Sequence, residues 1–357
     1  MNKFKAGLFS SAAVVAVALP AAAFDGWHQE SAVVIESKTS TFDYITYDSG
    51  TNHIFLGHRK EGLQVYDPAS KKVIKVVGDT AAHSANGATL ISAFDLGVSN
   101  NEDGTLTPFK LSTLEAQPSF KVSEELDTSH YDDFSKRLFV NAAAGKEAQD
   151  IIVVDVPSMK VAGTIKAATT KAEGADVDGK GRLFLAGQDV GKIIVIDTKE
   201  MKVTAEWSPA GCSKPTSVAV DRANNRLMVG CRLKGTVKPG FFVLDAADGK
   251  VIYSAEIGDG VDSAVYDPEL KRIFFANGVN ANLSVFEQVD ANTYKPVETL
   301  AIRNWVKVLA YDAKAKKLFS MTAEGSADAA KKINTAVSPY YPNTVFPNTF
   351  TVLTYSK

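Results

Sequence analysis

Short apolar runs punctuate the chain from residue 31 to its end, separated by polar turns, and they recur in a fixed order. An extended run ends in Asp and a polar turn follows. A short run with a large apolar residue comes next, then a Gly or Asn loop. A third run again ends in Asp, and a hairpin leads into a Lys-Val run. FDYITYDSGTNHIFLG (42–57) with LQVYDPASKKVIKV (63–76) is one copy. LDTSHYDDFSKRLFVN (126–141) with IIVVDVPSMKVAGTI (151–165) and EGADVDGKGRLFLAG (173–187) with IIVIDTKEMKVTAEW (193–207) are two more. PTSVAVDRANNRLMVGC (215–231) with FFVLDAADGKVIYSAEI (241–257), VDSAVYDPELKRIFFAN (261–277) and VKVLAYDAKAKKLFSMT (306–322) continue the series. A degenerate copy, NGATLISAFDLGVSN (86–100) with LTPFKLSTLEAQPSFKV (106–122), lies between the first and the third.

The turn aspartates are Asp48, Asp132, Asp178, Asp221, Asp267 and Asp312. The positions five residues before them, with Asn86 for the degenerate copy, are spaced by 43, 41, 46, 43, 46 and 45 residues. β-branched and aromatic runs between Gly, Asn, Asp and Pro turns are strand chemistry. A period of about 40–45 residues with four strands per unit marks a propeller blade. The pattern therefore predicts an all-β, seven-bladed β-propeller. The seventh unit has runs at 306–312, 316–322 and 349–355 and lacks a fourth. The orphan run SAVVIES (31–37) is expected to supply it, so that an N-terminal strand closes the ring in the last blade and leaves no open sheet edge.

Composition narrows the function classes. The 357 residues are 45% hydrophobic and 22% charged, with 39 Lys+Arg against 41 Asp+Glu. Such a balance excludes a disordered chain, and it lacks the basic excess of a nucleic-acid track, so no nucleic-acid partner is expected. No C-x-x-C-H, G-x-S-x-G, P-loop or Rossmann fingerprint is present. Lys3 and Lys5, an apolar stretch to Leu19 and Ala21–Ala23 have the three-part layout of a secretory signal peptide. The apolar stretch falls short of the roughly 20 residues that span a bilayer. Cleavage after Ala23 is expected, leaving 24–357 as a single monomeric domain, periplasmic or secreted, with no membrane span. In an oxidising compartment the two cysteines, Cys212 and Cys231, are expected to form a disulfide, because two cysteines alone make a poor zinc site.

The repeated V-x-V-D, K-V and R-L-F-V pieces resemble the YVTN β-propeller repeats of YncE-like exported bacterial proteins, over essentially all of 31–357. The resemblance implies the same fold and a Cys pair at the positions of Cys212 and Cys231. The second copy departs from it, with Asn86-Gly87 where His-Gly is common and Phe109-Lys110 in place of the third-run Asp. Propellers host many unrelated activities, so the resemblance does not name a function.

The first strand of each blade lines a propeller's channel. The position five before the turn Asp holds Asp43, Asn86, Asp127, Glu173, Thr216, Asp262 and Lys307, all polar. These predict a polar, mildly acidic ring at one channel mouth. The position just before the turn Asp holds Tyr47, Leu90, Tyr131, Val177, Val220, Tyr266 and Tyr311, a packing column between blades. Loops after the second strands add His58, Arg59, Asn100, Asn141, Gln188, Asp189, Arg232, Asn277 and Glu324. The candidate ligand-binding set is Asp43, His58, Arg59, Asn86, Asp127, Glu173, Arg232, Asp262, Asn277 and Lys307. The ring either caps strands around a hydrated channel or binds a small molecule or a periplasmic protein. An alternative is a metal-dependent lactonase- or lyase-like enzyme, with Asp43, Asp127, Glu173 and Asp262 holding Ca or Mg through oxygen.

Three further features carry chemistry. His130 and Asp176 occupy matching positions on neighbouring blades, where they would make either a packing pair or an oriented general base. Asp67, Asp155, Asp197 and Asp245 precede hairpins and are expected to cap them. The long segment 323–348 offers Tyr340, Tyr341 and Phe346 to a ligand or to the channel mouth.

Overall fold

Hairpin chemistry builds each blade. The turn aspartates are buried and accept backbone N–H groups two or three residues on: Asp48 from Gly50 and Thr51, Asp221 from Ala223 and Asn224, Asp312 from Lys314 and Ala315. The residue four after the Asp then turns left-handed, as at Asn52, Lys136, Asn225, Lys271 and Lys316. This returns the chain antiparallel to the strand it left. The third-strand aspartates repeat the device: Asp67 accepts from Ala69 and Ser70, Asp197 from Lys199 and Glu200, and Asp245 from Ala247. Asp155 instead pairs with Arg137 at 3.1 Å.

The computed structural model describes residues 25–328, 330–331 and 342–357. Among them, seven four-stranded antiparallel sheets form the seven blades. Their first strands are Ile45–Asp48, Ala85–Ile91, Leu126–Asp132, Ala172–Val177, Pro215–Asp221, Val261–Asp267 and Ala310–Asp312. Blade 7 is completed by Thr351–Ser356 and, outermost, His28–Val34, which pair antiparallel. The N-terminal strand thus closes the ring, and Trp27 before it is buried edge-on against Phe274 of blade 6. Residues 1–23, expected above to be a signal peptide, and Tyr340 and Tyr341 lie outside the described residues. Phe346 is exposed. No helix among the described residues is long and apolar enough to cross a membrane.

The core lies between blades. Second and third strands are covered on both faces, so they read as nearly continuous apolar runs, whereas outer strands such as Lys72–Val76 alternate. Phe139 and Val153 of blade 3, for example, pack with Val177, Leu183 and Leu185 of blade 4. The aromatic column adds hydrogen bonds across seams. Tyr47 donates to Asp312 at 2.9 Å, Tyr311 donates to Asp267 and Tyr266 donates to Asp221 at 3.4 Å. Each runs from one blade to the turn Asp of the blade before it.

Blade 2 breaks the rule. Ile91 stands where the turn Asp would be, a 3-10 turn at Ser92–Phe94 replaces the hairpin, and the outer strand is only Phe120–Lys121. Consequently the buried Tyr131 hydroxyl of blade 3 has no hydrogen-bond partner. Gly97 is required here, because a Cβ would lie 2.1 Å from the Phe109 ring that replaces the third-strand pattern. Cys212 and Cys231 are joined in a disulfide within blade 5, with Cα atoms 5.6 Å apart.

Candidate functional site

First strands run along the channel, so the residues at their starts converge at one mouth. A cavity of about 580 Å³ opens there. Asp43, Asn86, Asp127, Glu173, Asp262 and Lys307 of the predicted ring line it, together with Arg59, Gln188 and Arg232 from the loops after second strands. Thr216 does not; it is buried and donates to the Val261 carbonyl at 2.7 Å.

Two members of the candidate set lie elsewhere. His58 is fully buried, its ring stacked 3.7 Å from Phe350, with Nδ1 2.9 Å from the Gln64 amide and Nε2 3.0 Å from the Thr39 carbonyl. Burial holds its pKa below the usual imidazole value, although Gln64 and the Thr39 carbonyl oppose this. Asn277 is buried inside blade 6 and donates to Asn282 and Ser284. Both are packing residues: His58 follows the second strand of blade 1, and Asn277 is the last residue of the second strand of blade 6.

The predicted carboxylates are interleaved with cations. Arg59 reaches Asp43 at 2.6 Å and donates to Asn86. Lys307 lies between Asp43 at 3.3 Å and Asp262 at 2.8 Å. Arg232 pairs with Asp262 and donates to the Val261 carbonyl at 2.8 Å. Lys171 lies 2.9 Å from Asp127 and 3.5 Å from Glu173, whose Oε1 accepts from Gln188 at 2.7 Å. Counting the rim residues Glu102, Glu125 and Lys60, six carboxylates face five cations. By formal count these lining residues carry one surplus negative charge.

This arrangement corrects the expectation of a Ca or Mg cage from Asp43, Asp127, Glu173 and Asp262. Among the described residues no three His, Cys, Asp or Glu side chains gather to hold a metal ion. Hard cations need six or more oxygens, and both oxygens of Asp43 and of Asp262 already serve Arg or Lys.

The electrostatics differ around the ring. Burial would raise the Asp262 pKa, but Arg232 and Lys307 override it and hold the group below its usual range. At Glu173 burial dominates: with Asp262 and Asp127 adding to it against Lys171, the carboxyl is pushed up to about 7. Burial also raises Asp127, against Lys171.

Lys171 is the site residue that the ring pattern missed. It stands two positions before Glu173, and residues i and i−2 of an extended segment share a face. The equivalent positions elsewhere include Thr41, Ser84, Glu125 and Trp305, all of which line the cavity. A second tier two residues upstream of the ring was the available signal.

Below the mouth, a cavity of about 520 Å³ follows the first strands, sharing Tyr44 and Asp262 with the upper one. His130 and Asp176 line it without a hydrogen bond to each other. Asp176 accepts the backbone N–H of Val177 at 2.7 Å and of Val220 at 2.8 Å, clipping blade 4 to blade 5. Burial raises its pKa to about 6 and lowers that of His130 to about 4. The buried Nε2 of His130 has no partner. The two residues are not an oriented acid–base pair.

The sequence matches no protein-family model and no curated protein. Solved structures match the fold. A chain of "Crystal Structure of Mitotic Checkpoint Complex" superposes with a TM-score of 0.70 at 14% identity, covering 87% of this chain and 95% of that one. "Crystal structure of RRP9 WD40 repeats" gives 0.69 at 8% identity over 90% and 96%. A chain of "Kuenenia stuttgartiensis Hydrazine Synthase" gives 0.66 at 13% identity over 80% and 94%. This protein is a seven-bladed β-propeller. At these identities the likeness concerns the fold alone.

Proposed function

We propose that the propeller is a binding module whose charged mouth receives a compact ligand, or a protein loop, carrying charged groups. The observation that carries this reading is the convergence of four carboxylates and four cations on a cavity of about 580 Å³. Buried charges cost several kcal/mol each unless paired, so packing alone would favour apolar residues at these positions. The fold is compatible with a binder but does not by itself select one, because propellers host many activities. The metal-dependent alternative finds no support in the donor arrangement. We also read the chain as an exported protein of the YVTN type: the Cys212–Cys231 disulfide suits an oxidising compartment, and the N-terminal residues have signal-peptide layout.

The test is calorimetric titration of the purified chain with small amines, carboxylates and zwitterions at low and high salt, beside Thr41→Trp. Thr41 is exposed on the rim and outside the charge network, so the added indole obstructs entry without unpairing a charge. Binding that weakens with salt and is lost in the variant is expected. Binding that survives Thr41→Trp, or no binding by any probe, would refute the reading.

A further inference from the structure

The mouth divides into two arcs of opposite character, and resting on the reading above this division says which chemical group the site takes. On blades 1, 7, 6 and 5, Arg59, Asp43, Lys307, Asp262 and Arg232 form one continuous chain of alternating charge. Every carboxylate oxygen in it has a cationic partner. Its formal charge is that of one surplus cation. Across the ring, on blades 3 and 4, the single Lys171 serves two carboxylates. Lys171 engages Oδ2 of Asp127 and Oε1 of Glu173, and Gln188 shares the latter. Among the described residues, Asp127 Oδ1 and Glu173 Oε2 accept no hydrogen bond, although the Glu173 side chain is only 7% exposed. This arc carries one surplus negative charge and two open acceptors on adjacent blades, on residues that both line the cavity.

We propose that Asp127 Oδ1 and Glu173 Oε2 together receive a primary alkylammonium group. An ammonium has three donors around a compact charge, so it serves one free oxygen on each of two blades and leaves a donor for water. A guanidinium prefers two oxygens of one carboxylate, and here each carboxylate has already given one away. A divalent metal needs more oxygens than these two. The incoming charge also neutralises the surplus of this arc, whereas an anion would add to it. The raised Glu173 pKa agrees with the geometry: burial and the neighbouring Asp262 and Asp127 disfavour its ionised form more than Lys171 favours it. Opposite, Arg59, about a quarter exposed, is placed to meet the far end of a ligand that is anionic or polar there. The ammonium is carried either by a free amine or by a lysine side chain of a protein partner.

The experiment is calorimetry on the full-length mature chain at pH 8 with 1,5-diaminopentane, its length-matched dicarboxylate glutarate, and the peptide acetyl-Ala-Lys-Ala-amide. Diamine binding at least about tenfold tighter than glutarate is expected, since a charge-assisted hydrogen bond contributes about that much. Glu173→Gln and Asp127→Asn should each weaken it by about the same factor. Lys171→Met should strengthen it, because two carboxylates are then left without a resident cation and the incoming ammonium supplies that counter-charge. This gain of binding distinguishes the proposal from a variant that merely unfolds. Tighter peptide than diamine binding assigns the ammonium to a protein, and the reverse to a free amine. Glutarate binding better than the diamine, in a manner lost with Arg59→Ala, would leave the mouth as a binding site and overturn the ammonium assignment. Diamine binding unchanged in both carboxamide variants overturns it equally.

Discussion

Blades 5, 6, 7 and 1 and blades 2, 3 and 4 are written in one repeat, yet the two halves of the ring hold themselves together differently. In the first half the seams carry Tyr–Asp hydrogen bonds, Tyr266 to Asp221, Tyr311 to Asp267 and Tyr47 to Asp312. Its mouth carboxylates have no free oxygen, and a disulfide lies within it. In the second half Leu90 and Val177 occupy the tyrosine column, Tyr131 finds Ile91 instead of Asp, and two mouth carboxylates keep an open oxygen. The backbone repeat tolerates both solutions because ladder hydrogen bonds and inter-blade apolar packing are common to all seven blades. Polar side chains are thereby left to serve closure in one half and to keep open acceptors at the mouth in the other.

The comparison breaks most directly at the mouth. Asp262→Ala leaves Arg232 and Lys307 buried without their shared carboxylate, and a loss of about 3–5 kcal/mol is expected in urea unfolding. Asp127→Ala, whose partner Lys171 is half exposed, should cost under about 1 kcal/mol. Equal losses would show that the two arcs are not different. Replacing Cys212 and Cys231 with Ser releases a loop of sequence separation 19 and should cost about 3 kcal/mol, read as a fall in midpoint that a reductant reproduces in the native chain.

The seams give a finer test. Tyr311→Phe removes a hydroxyl that donates to buried Asp267 and should cost about 1–2 kcal/mol. Tyr131→Phe removes an already unpartnered hydroxyl and should be neutral or stabilising. Thermal melts of the two variants side by side decide it, and a matching loss at Tyr131 would show that its hydroxyl has a partner after all.

The smallest expected effect is a slope. Glu173, faced by Lys171, Asp127, Asp262, Arg232 and Lys214, has its folded pKa raised from 4.5 to about 7. Between those values the folded chain holds a proton that the unfolded chain has lost, so this group lowers stability as pH rises through the window. Glu173→Gln should remove that decline, and an unchanged pH profile of the melting temperature would contradict it.

Much of this was legible in the residues. The spacing of the turn aspartates yields the blade count, the orphan run at 31–37 yields the closing strand, and the column five residues upstream yields six of the residues lining the mouth. Lys171 was not legible from that column, because it belongs to a segment outside the first strands and reaches the cavity only by sharing a face with Glu173. His58 was misplaced because a residue after the second strand can turn inward as easily as outward. What decides is Phe350, nearly three hundred positions away, against which its ring stacks.

The sequence by itself determined the ring: hairpin aspartates, apolar central strands and a seven-fold period are local chemistry, repeated often enough to leave one architecture. It also pointed to six of the ring positions that line the mouth, since a repeat maps equal positions to similar places, but not to Lys171, and it misplaced Thr216, His58 and Asn277. Which carboxylate finds which cation was decided only by the tertiary structure. The partners come from different blades and from loops without a common register. A charged side chain's state depends on what stands opposite it, and in a closed ring that neighbour is set by the closure itself.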